Sequence, residues 1–103
     1  MRYQLVLQFA GPAALSLDEL IALEDELSRH LPASAQVDGH DIGSGEGNIF
    51  LFTHDPLATF AAIKPVLSKR GHLAGLGAAY RAERSDEFVR VWPEGAAAPF
   101  IIR

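Results

Sequence analysis

The stretch that most constrains this chain runs from Val37 to Pro56, VDGHDIGSGEGNIFLFTHDP. Two strand-like runs flank Gly43-Ser44-Gly45-Glu46-Gly47, and Asp55-Pro56 then opens a helix. Glycine reaches the positive φ angles that a chain reversal needs. The stretch therefore reads as a hairpin of residues 35–42 and 48–54 around a five-residue loop. That loop length sets Ile42 opposite Asn48 and His40 opposite Phe50. In the second strand Ile49, Leu51 and Thr53 share one face, and Phe50, Phe52 and His54 share the other. Both faces are largely apolar, which fits a central strand covered on two sides.

The segments on either side supply the rest of a sheet and two helices. Residues 2–10 alternate, with Tyr3, Leu5, Leu7 and Phe9 on one face and Gln4, Val6 and Gln8 on the other. Ser16 and Glu19 have capping-box spacing, and Leu17, Leu20, Ile21, Leu23, Leu27 and Leu31 follow at helical intervals up to Pro32. Asp55 as N-cap and Pro56 in the first turn start a second helix, buried through Leu57, Phe60, Ile63, Val66 and Leu67. Pro65 lies late in that helix, where it predicts a kink. Residues 74–83 form a strand rich in small side chains, and residues 87–92 alternate and pair with it. The order β-α-β-β-α-β with an added C-terminal strand predicts an α+β fold, a ferredoxin-like split β-α-β two-layer sandwich. Its antiparallel sheet would carry two helices on one face.

At 103 residues this is one domain, with residues 94–103 a tail. The apolar triplet Phe100-Ile101-Ile102 costs too much to leave in water, so the tail is expected to dock on the sheet or on a partner. The absence of cysteine excludes disulfides, thiolate metal sites and cysteine nucleophiles. A net charge of −4 with no basic stripe argues against nucleic-acid binding. No stretch reaches the ~20 apolar residues of a membrane span, and the N-terminal residues, interrupted by Gln4 and Gln8, are not expected to act as a signal peptide. The expected setting is the cytoplasm.

Chemistry has few places to sit. His40 with Asp38 or Asp41 could orient an imidazole for acid–base work, and His54 could join a small-molecule site. No spacing of His, Asp and Glu matches a metal-ligand set, so neither metal, cofactor nor catalytic residue is assigned. The glycine-rich run lacks the helix and lysine of a phosphate loop and reads as a hairpin turn.

The sheet face opposite the helices is the more informative feature. It would carry Gln4, Val6 and Gln8, joined by Phe50, Phe52 and His54 or by Ile49, Leu51 and Thr53, and by Tyr80 or Arg81 with Phe88, Arg90 and Trp92. An apolar patch of that kind is seldom left bare. The leading expectation is a non-catalytic domain that uses this face for self-association, as a homodimer, or for a protein partner. Phe50, Phe52, Tyr80 and Trp92 would be the anchors. The alternative is a small-molecule binder or enzyme with a site near His40, Asp38 and His54.

The run DGHDIGSGEGNIFLFTHDP, followed by F-x-x-I-K-P-V-L and later by AAYR and VWP, resembles small uncharacterised bacterial proteins of ferredoxin-like fold. The resemblance spans residues 38–93. It implies that fold and brings no established activity or site residues.

Overall fold

Each strand and helix begins where its local chemistry allows. A computed structural model describes residues 1–96 and 99–102; the tail positions Ala97, Ala98 and Arg103 lie outside the described residues. Strand β1 (Tyr3–Ala10) is followed by helix α1 (Leu17–Ser28), strands β2 (Ala35–Gly43) and β3 (Glu46–Thr53), and helix α2 (Pro56–Lys69). Strands β4 (Leu76–Ala82) and β5 (Val89–Trp92) complete the order. The Ser16 hydroxyl accepts from the Glu19 amide at 3.2 Å, and the Glu19 carboxylate accepts from the Ser16 amide at 3.0 Å. This capping box satisfies two amides that the first turn of α1 would otherwise leave bare. Asp55 does the same for α2, accepting from the Ala58 amide at 3.0 Å.

Helix α1 ends three residues short of the expected Leu31, with Arg29 as its C-cap. Pro32 disfavours a helical backbone at the residue before it, so the chain leaves the helix early. Leu31 still packs against the core from the loop. Helix α2 runs without interruption across Pro65.

The sheet has the order β2-β3-β1-β4-β5 with every neighbouring pair antiparallel. Both helices cover the same face. Leu20, Leu23 and Leu27 of α1 and Phe60, Ile63, Val66 and Leu67 of α2 join Leu5, Leu7, Phe9, Ile49, Leu51, Leu76 and Ala78 in one cluster. Burying a side chain of this size contributes about 1.5–3 kcal/mol. The result is an α+β sandwich of one sheet and one helix layer. Among the described residues, no helix is long and apolar enough to cross a membrane.

The central hairpin departs from its expected register. Its reversal is a two-residue turn, with Ser44 at φ 53° and Gly45 at φ 77°, not a five-residue loop. Positive φ at both central residues matches the right-handed twist of the strands. Gly43 and Glu46 are therefore already paired, Ile42 faces Gly47, and His40 faces Ile49 rather than Phe50. A register shift between Val37 and Gly39 leaves Asp38 as an extra, unpaired residue. A second shift falls between Ala78 and Ala79 where β4 meets β5.

Candidate functional site

The register of the four long strands lays out the helix-free face in cross-strand rows. Gln36, Phe52, Gln4 and Arg81 form one row, and Gly39, Phe50, Val6 and Ala79 the next. Asp41, Asn48, Gln8 and Gly77 form the third. Two polar rows thus enclose an apolar one. The Arg81 Nε donates to Gln4 Oε1 at 2.9 Å, and its guanidinium also ties down the loop to β5 through the Ser85 carbonyl at 2.8 Å. The Gln8 amide donates to Asn48 Oδ1 at 3.2 Å. Asn48 is 1% exposed, so this bond answers a polar group that could not otherwise stay buried.

The face is not bare. The segment Pro99–Ile102 lies against it, with Phe100 over β4 and β5 and Ile101 beside β1. Gln8 Nε2 donates a second bond to the Ile101 carbonyl at 2.9 Å. The Phe100 ring sits 5.1 Å from the Phe88 ring and under the Arg90 guanidinium, 5.4 Å from its centroid. A Cβ on Gly77 would come within 3.6 Å of that ring. On the β3 side, Phe50 and Phe52 are only partly buried, with the Arg2 guanidinium 3.9 Å above the Phe52 ring. Arg2, Phe52, Gln36 and His54 line an open cleft of about 380 Å³ at that end.

The aromatic set expected on this face is divided between the two faces. Phe50 and Phe52 lie on it. Tyr80 pairs with Leu5, packs edge-on to Tyr3 with centroids 5.7 Å apart, and belongs to the helix side. Trp92 also lies on the helix side, 6.2 Å from Phe60, with its indole N–H donating to the Leu73 carbonyl at 3.2 Å. Tyr80 is there by the unbroken β1–β4 register, and the irregular β4–β5 pairing accounts for Trp92: Ala79 faces Arg90 while Ala78 faces Trp92, so Val91 is the extra residue and strict alternation breaks.

Asp38, His40 and His54 are not brought together. The His40 imidazole points to the helix layer, where its Nδ1 lies 2.7 Å from the Glu24 carboxylate on α1. Asp38 is exposed in the bulge of β2, an outer strand of the sheet. His54 lies past the end of β3, with Nδ1 2.9 Å from the Met1 carbonyl. It is five positions along β3 from the residue opposite His40, a separation of about 16 Å at the rise of a strand. Among the described residues, no group of three or more His, Asp or Glu side chains is placed to hold a metal ion.

Asn48 is the site residue that sequence reasoning overlooked. It shares the parity of Phe50 and Phe52, so its place on their face was written in the alternation. Two carboxylates on the helix layer have lowered pKa values. The Ser16 amide lowers that of Glu19, and the hydrogen bond from Arg70 lowers that of Glu26. Both serve the scaffold. Set against known protein families, curated proteins and solved structures, the chain matches none.

Proposed function

We propose that this chain is a non-catalytic interaction domain of ferredoxin-like arrangement that binds through the helix-free face of its sheet. The ferredoxin-like reading rests on the central position of β1 between β3 and β4, with each helix linking strands that are not neighbours. The observation that carries the functional reading is the pair Phe50 and Phe52. They stay only partly buried on one strand beside fully buried Val6, on a face that already holds the apolar segment Pro99–Ile102. Aromatic side chains so placed are the usual anchors of protein–protein contacts.

The small-molecule alternative has less support, since Asp38, His40 and His54 face three different surroundings.

Sedimentation equilibrium of the wild type and of F50A/F52A over a dilution series tests the reading. A wild-type dimer that persists at low micromolar concentration and is lost in the variant is the expected result for self-association. A monomer throughout moves the reading to a partner of different sequence. A dimer untouched by the double substitution overturns the role of this face in assembly.

A further inference from the structure

The seat of Pro99–Ile102 is built from residues far apart in sequence, and each part has a distinct task. Gln8 Nε2, held by Asn48, donates to a main-chain carbonyl, that of Ile101, and so reads a backbone without regard to side-chain identity. Phe88 and Arg90 both contact the Phe100 ring, the one as a tilted aromatic neighbour and the other as a cation over its face. Gly77 lies beneath that ring, which is within ordinary contact distance of where a Cβ would stand. The fit is incomplete, because Ile101 remains 58% exposed. We infer that this seat is a peptide-docking groove, in which Pro99–Ile102 holds the place of an extended aromatic–aliphatic–aliphatic segment of a partner protein. The inference rests on the proposed use of the helix-free face and names the kind of partner that face takes.

The seated segment is joined to β5 by a short connection from Pro93. Covalent linkage over so short a stretch holds the segment at an effective concentration of roughly millimolar. A partner segment must therefore compete with it, and weakening the tethered segment must strengthen binding in trans.

The test is an NMR titration of the full chain with a synthetic peptide of sequence AAAPFIIR, using wild type and Phe100→Ala. The peptide is expected to shift the amide signals of Gln8, Gly77, Phe88 and Arg90 in Phe100→Ala. It should bind the wild type roughly tenfold more weakly, as a tethered competitor requires. A peptide with alanine in place of its phenylalanine should bind neither. Should Phe100→Ala fail to fold, the wild type reads the same competition: saturating peptide moves its own Ile101 and Ile102 methyl signals to free positions.

Equal affinity for both chains, shifts elsewhere, or methyl signals that stay put under saturating peptide would each overturn the inference. A concentration-dependent dimer dissolved by the peptide would assign the seat to a second copy's segment and overturn the choice of occupant. Failure of the peptide alongside a dimer that F50A/F52A disrupts would sink the groove but leave the face as an interface. If that dimer is also untouched by the double substitution, the reading of the face falls with it.

Discussion

Leu51 and Val6 lie on neighbouring strands and both are fully buried, yet they sit on opposite faces of the sheet. Around Leu51 the cover is aliphatic: Leu5, Leu7 and Ile49 beneath, with leucines of α1 and the apolar stripe of α2 above. Around Val6 the cover is mixed, with Phe50 and Ala79 beside it and polar rows ending in Gln8–Asn48 and Gln4–Arg81 on either flank. The helix side excludes water with whole elements of structure. The other side does so with hydrogen-bonded side chains and a strap of chain. On the reading proposed above, a face of the second kind can exchange its cover without unfolding the first.

That contrast can be broken most sharply at Leu51. Leu51→Ala should cost about 2–5 kcal/mol in urea unfolding, because the sheet and the helix layer packed over it can collapse only partly into the space. Val6→Ala removes two methyl groups at about 0.8 kcal/mol each, so a loss of roughly 1–2 kcal/mol is expected. If Val6→Ala costs as much as Leu51→Ala, the two faces are equally rigid and the contrast fails. Ser16→Ala should cost about 1 kcal/mol by removing the cap of α1, with the helix-free face unaffected. Its check is an unchanged amide spectrum at Gln8 and Asn48.

The smallest effect is a pH dependence. The Glu26 carboxyl, lowered in the folded chain by the hydrogen bond from Arg70, contributes stability above its ordinary value of 4.5. That contribution is lost as pH falls through the depressed folded value. Thermal unfolding of Glu26→Gln should therefore depend less steeply on pH in the acid range. An unchanged slope would remove the Arg70 contact from the acid response.

Much of the scaffold could be read from the chain itself. Ser16 with Glu19 and Asp55 with Pro56 announced both helices through caps that act within four residues. The alternation of β1 named its two faces because nothing interrupts that strand. The candidate site was less legible, since it depends on events of a single residue. An extra residue at Asp38 and a turn shorter than its glycines suggested carry His40 to the helix side. Another extra residue at Val91 does the same for Trp92. Composition does not distinguish a glycine that makes a turn, Gly45, from one that lies within the ladder, Gly47. The docking of Phe100 follows from hydrophobicity, but its seat needs three-dimensional neighbours from β1, β4 and β5.

The bulge at Asp38 has a further consequence, for the behaviour of many copies together. β2 is an edge strand nine residues long, with one row of amides and carbonyls turned away from β3. Such an edge is a template on which another chain can crystallise into fibre. Asp38 pushes one residue out of the flat ladder, and the carboxylates of Asp38 and Asp41 are both exposed on the strand. A second chain laid along this edge would meet a twist it cannot follow and charge it would have to desolvate. β5, at the opposite margin, is four residues long and offers little to extend. Both margins are thus poor templates for sheet growth, which disfavours edge-to-edge pairing of crowded copies.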